Sequence, residues 1–234
     1  QQRAIALDKA ENWLDETLQY RFNDAGLFKL ALTHRSAHGG SNERLEFLGD
    51  AVLDVVVSEA LFHALPEADE GDLSRLRASI VRDTTLADLA AQLGLGEYLI
   101  LGSGEKKAGG HRRESILADA LEALFGAVYL DSDFDTTASF IRLAFGEMLV
   151  DFPDAGELRD PKTRLQEWLQ ARGDRLPEYE LLNVSGKAHR QRFEVSCSVT
   201  GHEATVGTGT SRRGAEQQAA ERMLRQLNVG NSDD

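Results

Sequence analysis

Five carboxylates sit in apolar surroundings at spacings that suit a helix. In Asn42-Glu43-Arg44-Leu45-Glu46-Phe47-Leu48-Gly49-Asp50-Ala51-Val52-Leu53 the acids are Glu43, Glu46 and Asp50, at i, i+3 and i+7, so a helix projects all three from one stripe. Like charges held that close oppose folding unless a cation neutralises them. In Ile116-Leu117-Ala118-Asp119-Ala120-Leu121-Glu122-Ala123-Leu124 a sparser pair, Asp119 and Glu122, repeats the i, i+3 spacing in an equally apolar setting. Brought face to face, two such stripes make an all-oxygen site suited to Mg²⁺ or Mn²⁺ rather than zinc. The plainer reading is a set of solvated helix acids paired with arginines such as Arg44. Leu45, Phe47, Leu48, Val52 and Leu53 weigh against it, because a helix so apolar is not a simple surface element. His34 and His38 lack Cys or His partners at zinc-ligand spacing, so zinc is not expected.

The elements that must position these acids are helical. From about Trp13 to Phe152 apolar residues recur at helical spacing, as in Leu86, Leu89, Ala90 and Leu93 or Leu121, Leu124, Phe125 and Val128, with no sustained alternation of the strand type. Phe152-Pro153-Asp154-Ala155-Gly156-Glu157 is short and polar, with Pro and Gly, and reads as a linker. Asp160-Pro161 then reads as an N-cap followed by Pro in the first turn, opening a helix with Leu165, Trp168 and Leu169 on one side. Strands are expected at residues 179–184, 192–199 and 203–207. A last helix follows with Ala215, Ala219, Ala220, Met223, Leu224 and Leu227 on one side. The expected organisation is an all-α domain over residues 1–152, a linker at 153–159, a small α-β-β-β-α domain at 160–229 and a tail at 230–234.

A net charge of −13 argues at first against a nucleic-acid binder, since phosphate contacts need Lys and Arg. The charge is unevenly spread. Residues 159–228 hold 12 Lys and Arg against 9 Asp and Glu, whereas residues 1–158 hold 14 against 28. The basic excess therefore lies in the smaller domain. No apolar run approaches the roughly 18 residues of a membrane span, and Gln1 to Tyr20 is polar and amphipathic, unlike a signal peptide. The single Cys197 has no internal disulfide partner and falls in the alternating run Phe193 to Val199, which reads as an inward-facing small hydrophobe and fits a reducing cytoplasm.

The acidic stretch from Asn42 closely resembles the signature of ribonuclease III, the double-strand-specific endoribonuclease family, and the stretch around Asp119 and Glu122 resembles its other metal-ligating helix. Asp69-Glu70-Gly71-Asp72-Leu73-Ser74-Arg75-Leu76-Arg77 and Arg112-Arg113-Glu114-Ser115 match in order and spacing. Asp160-Pro161-Lys162-Thr163-Arg164-Leu165-Gln166-Glu167 and Thr210-Ser211-Arg212-Arg213-Gly214-Ala215-Glu216 resemble the double-stranded-RNA-binding domain of bacterial members.

The resemblance implies metal coordination by Glu46, Asp50, Asp119 and Glu122, with Mg²⁺ as cofactor, Mn²⁺ as a substitute and no small-molecule cofactor. It places Asp50, Glu122, Glu43 and Glu70 in the catalytic cleft. For Glu70 a helix-capping role stands beside metal or RNA contact. Asn42 and Ser115 lie near that site. It implies a homodimer in which Phe47 enters a pocket of the partner subunit, where the dull alternative is a core position. Duplex RNA would be met at Gln166, at the loop carrying Lys187 and His189, and at Ser211, Arg212 and Arg213, reading A-form shape rather than sequence. Glu216 stands where many such domains carry a third basic residue, which puts affinity in question. Gly102 to Arg113 reads as a flexible loop whose Lys106, Lys107, Arg112 and Arg113 can meet the RNA backbone. The activity implied is metal-dependent hydrolysis of double-stranded RNA, as in the processing of ribosomal RNA precursors and other structured transcripts, leaving 5′-phosphate and 3′-hydroxyl ends with short 3′ overhangs. A non-catalytic double-stranded-RNA-binding regulator is the alternative, and a purely structural helical scaffold leaves the second domain unexplained.

Overall fold

A computed structural model describes residues 2–152, 159–186 and 190–229, with side chains described from Leu7 onward. The chain divides into two compact units, Gln1–Pro153 and Asp154–Asp234. The expected linker at 153–159 lies almost wholly outside the described residues, as does the tail.

The first unit is helical. Its elements are α1 (Gln2–Leu18), α2 (Ala25–Ala31), α3 (Glu43–Ala64), α4 (Glu70–Ile80), α5 (Asp83–Gln92), the short α6 (Ser103–Lys107), α7 (Glu114–Asp131) and α8 (Phe134–Phe145). Apart from Asp119, Glu122 and its two ends, α7 is apolar on all sides, and that composition makes it the interior helix. Ile116, Leu117, Leu121, Leu124, Phe125 and Val128 are all buried, each worth roughly 1.5 to 3 kcal/mol of apolar burial. Packed on it are α2, α3, α5 and α8. From α3 the stripe Leu45, Val52, Leu53, Val56, Val57 and Leu61 faces inward, at the i, i+3, i+4 spacing such packing requires. Asp131 ends α7 by accepting bonds from the Tyr20 hydroxyl and the Asn23 and Asp24 amides, each 2.8 Å, which ties the α1–α2 connection to the core helix. The region from Gly102 to Arg113 is more ordered than a flexible loop. It holds α6 and a 3₁₀ turn at Gly110–Arg112, with Gly109 at φ 78° between them and Arg113 paired to Glu105 at 2.8 Å.

The second unit has α9 (Pro161–Ala171), β1 (Glu178–Ser185), β2 (Arg192–Ser198), β3 (Thr205–Gly209) and α10 (Arg212–Gln226). The strands form an antiparallel sheet in the order β1-β2-β3, with a bulge in β1 between Leu181 and Asn183. The order of elements matches the sequence expectation. The third strand starts two residues later than expected and runs on to Gly209. Asp160 caps α9 by accepting from the Thr163 amide at 3.1 Å, with Pro161 in the first turn. Leu165, Leu169, Cys197, Ala219, Ala220 and Met223 make the core, and Cys197 is indeed fully buried. The alanine face of α10 comes so close to β3 that a Cβ on Gly207 would lie 2.3 Å from the Ala215 carbonyl. Only glycine fits there.

Candidate functional site

The site starts with how α3 is anchored. Asn42, just before the helix, is buried; its side-chain amide donates to the Ala31 carbonyl at 3.2 Å and its backbone amide to Thr33 at 2.9 Å. Its role in the fold is therefore to fix the start of α3 on the end of α2. The helix then crosses α7 at a glycine pair. A Cβ on Gly49 would stand 1.8 Å from the Glu122 carbonyl oxygen, and one on Gly126 would stand 2.2 Å from that of Leu45. Any side chain at either position forces the helices apart. Gly49 falls between Glu46 and Asp50, and Gly126 falls one turn after Glu122, so the same contact that seats the backbones sets the four carboxylates across from one another.

Their electrostatics records that closeness. The Glu122 carboxyl is pushed up to about 8, first by burial and then by Asp50, Glu46 and Asp119. Asp119, Glu46 and Asp50 are also raised, in each case mainly by burial; Asp119 adds to the shift of Glu46. Taking charge out of water and adding like charges disfavour the ionised form together. Among the described residues no three His, Cys, Asp or Glu are gathered closely enough to hold a metal ion as they stand. The donor set fits one: carboxylate oxygens only, with Glu46, Asp119 and Glu122 partly buried and Asp50 exposed, and a surplus of negative charge.

Around this centre lie residues that the sequence patterns did not assign to it. Asp83, at the start of α5, adds to the charge felt by Asp119 and Glu122, while His34 and Arg35 lower Asp119. Asp83 lies far from both acidic stripes in the chain, His34 and Arg35 shortly before the first of them, and no local pattern marks any of the three. Glu43 is exposed and engaged on the rim, accepting from the Ser41 hydroxyl at 2.7 Å and paired with Arg35 at 3.5 Å, which holds its carboxyl below the usual range. Ser115 is exposed on the first turn of α7.

Glu70 is placed elsewhere. The cap of α4 is Asp69, which accepts from the Asp72 amide at 2.7 Å, while Glu70 accepts from the Ser74 hydroxyl at 2.8 Å. Because α4 runs back along α3, with Arg77 on Ser58 and Asp54, its first residue lies beside the far end of α3. At 1.5 Å of rise per residue that end is about 20 Å from Asp50.

Phe47 is not a core residue of the chain: it is 80% exposed. Val55 and Phe62 on the same helix are exposed as well. An apolar surface of this kind marks an interface.

In the second unit Gln166 is exposed on α9. Ser211 caps α10, its hydroxyl accepting from the Gly214 amide at 3.1 Å, and Arg212 and Arg213 follow, both exposed. Arg212 is paired with Glu216, whereas Arg213 makes no ion pair among the described residues. Lys187 and His189 lie outside the described residues.

Comparison with known proteins agrees with both halves. A family described as Ribonuclease-III-like matches residues 24–148, and the double-stranded RNA binding motif matches residues 161–227. Ribonuclease 3 of Vibrio parahaemolyticus is 52% identical over 218 residues, covering 93% of this chain and 97% of that protein. Ribonuclease 3 of Dechloromonas aromatica is 54% identical over 211 residues, covering 90% and 95%. Among solved structures, the nuclease domain of ribonuclease III from Campylobacter jejuni, described for flexibility in a region involved in dimer formation, superposes with a TM-score of 0.55 at 45% identity. That match covers 57% of this chain and 94% of that one.

Proposed function

The chain belongs to the ribonuclease III family, and from that membership and the site's geometry we propose that it hydrolyses double-stranded RNA with the help of divalent metal ions. The observation that carries the reading is the crossing of α3 and α7 at Gly49 and Gly126, which sets Glu46 and Asp50 opposite Asp119 and Glu122. These four hold the metal, Mg²⁺ with Mn²⁺ as a substitute. A metal bound there supplies an activated water and neutralises charge on the phosphate, so no protein nucleophile is needed. Glu122 and Asp119 sit partly buried among the apolar residues of α7, where each electrostatic contact counts for more than in water. Glu43, held by Ser41 and Arg35, lines the rim. Arg35 offers a cation beside the acids for an RNA phosphate.

The enzyme works as a homodimer, with Phe47 seated in the partner subunit. Glu70, which opens α4 beside the end of α3 away from the four acids of its own chain, reaches a catalytic centre only across that dimer. Products carry 5′-phosphate and 3′-hydroxyl ends with short 3′ overhangs, and ribosomal RNA precursors in the cytoplasm are among the substrates. The second unit supplies duplex affinity through Gln166, Lys187, His189, Ser211, Arg212 and Arg213. The amides at the start of α10 and its positive dipole end face phosphate, and A-form shape is read across the grooves.

The test is incubation with long duplex RNA, beside single-stranded RNA and duplex DNA, in Mg²⁺ and then in EDTA. Cleavage confined to duplex RNA and to the Mg²⁺ arm is the expected result. Cleavage of single strands at equal rate, or cleavage that persists in EDTA, contradicts it.

A further inference from the structure

An acid at the start of an RNA-facing helix should repel phosphate, and in sequence Glu216 looks like a lost lysine. The structure gives it different work. Its carboxylate is mostly buried, with 13% of the side chain exposed, and each oxygen holds one cation. One accepts from Nζ of Lys162, in the first turn of α9, at 2.6 Å; the other accepts from Nε of Arg212, in the first turn of α10, at 3.0 Å. Lys162 is also held from the sheet side, its Nζ lying 4.6 Å above the Tyr179 ring of β1. Two cations against one anion leave the trio net positive, so the acid presents no bare negative charge to a phosphate.

The bond to Arg212 uses Nε alone. A guanidinium has five donors, so four remain on the two terminal nitrogens, in the fork that meets phosphate bidentately. An arginine already fixed at Nε also loses less side-chain freedom on binding than a free one.

We propose that Glu216 is a positioning residue for duplex RNA: by holding Lys162 and Arg212 on one carboxylate it fixes the spacing of the helix ends that meet the RNA and aims the Arg212 fork outward. This rests on the reading of the second unit as the duplex-binding part.

The experiment measures binding of the full-length protein to duplex RNA in EDTA across a salt series. Glu216→Gln keeps the shape and removes the charge. It should weaken binding by roughly 5- to 30-fold, the loss of one or two units of charge-assisted contact, and flatten the slope of log K against log salt as Arg212 disengages. If Glu216 merely repelled phosphate, the same variant would bind more tightly. Among the described residues Glu216 is the one bonded to both Lys162 and Arg212. Lys162→Met and Arg212→Ala should therefore be non-additive in the native background and additive in Glu216→Gln, a signature that general loss of stability does not produce. Unchanged or tighter binding by Glu216→Gln, with an unchanged salt slope, overturns the proposal. Arg213→Ala separates the two levels: if it weakens binding while Glu216→Gln does not, the clamp alone is wrong, and if neither has an effect, the helix end is not the RNA surface.

Discussion

Two glutamates on helices, Glu122 in the nuclease unit and Glu216 in the RNA-binding unit, are both partly buried and meet opposite fates. Glu122 faces Asp50, Glu46 and Asp119, and its carboxyl is driven up to about 8. Glu216 faces Lys162 and Arg212, and their bonds hold its carboxyl below the usual range. Burial alone would raise both; the sign is set by the neighbours. The nuclease unit thus carries a charge deficit that its own residues leave open, and with exposed Phe47 it carries an apolar deficit too. The RNA-binding unit fills its own. On the proposed reading the first arrangement takes in a cation and a partner subunit, whereas the second already holds the cations it presents.

The strongest way to break this contrast is Glu122→Gln. If the carboxylate is needed for metal, cleavage should fall by roughly 10²- to 10³-fold or more, measured in single turnover with enzyme in excess. Duplex binding should be intact or improved, and near neutral pH the metal-free protein should melt higher, since Gln is spared the cost of protonating a carboxyl whose folded value is raised to about 8. Normal turnover at saturating Mg²⁺ would remove Glu122 from the ligand set.

Phe47→Ala addresses the apolar deficit. An 80% exposed phenylalanine contributes little to its own fold. The variant should retain its monomer stability yet weaken dimerisation by about 2 to 4 kcal/mol, the range of an interface hot spot, read by sedimentation at low concentration. Lost stability with an unchanged dimer would reverse the assignment. Gly49→Ala should have a smaller effect on free energy, about 1 to 3 kcal/mol of overpacking, but at a decisive place. A Cβ 1.8 Å from the Glu122 carbonyl must spread α3 from α7, so cleavage should drop more than stability does. A variant that melts lower but cuts at the native rate would show that the close crossing serves packing alone.

Much of this was legible in the chain, and the limits have physical causes. The acids of α3 and α7 declared themselves because helical spacing is local, and the α-β-β-β-α order followed from the cap at Asp160, the alternation around Val195 and the apolar side of the last helix from Ala215 to Leu227. The crossing that unites the acids did not show, although its signal was present: Gly49 sits inside the first acidic stripe and Gly126 one turn beyond the second. Asp83, His34 and Arg35 join the site through tertiary packing and carry no local mark. Glu70 was grouped with the cleft by resemblance, and only the direction of α4 reveals its distance from its own chain's acids. Glu216 was read as a missing base because its partner Lys162 lies 54 residues away.

The gentlest test concerns Glu216 alone and asks whether its charge is truly satisfied in the folded chain. A carboxyl whose folded pKa lies below its unfolded value contributes stability that is fully present above the unfolded value, near 4.5, and is lost as pH falls through the lowered folded one. The difference in stability between native protein and Glu216→Gln should therefore be level above about pH 5 and shrink in more acid solution. It should be modest, about 1 kcal/mol or less, because 34% of the Lys162 side chain and 58% of that of Arg212 remain exposed and solvent screens both pairs. Urea unfolding followed through Trp168, in a Trp13→Phe background so that only the second unit reports, reads it directly. A difference that stayed constant into acid, or grew there, would mean that the carboxylate owes its place to shape rather than charge, and the contrast with Glu122 would lose its second half.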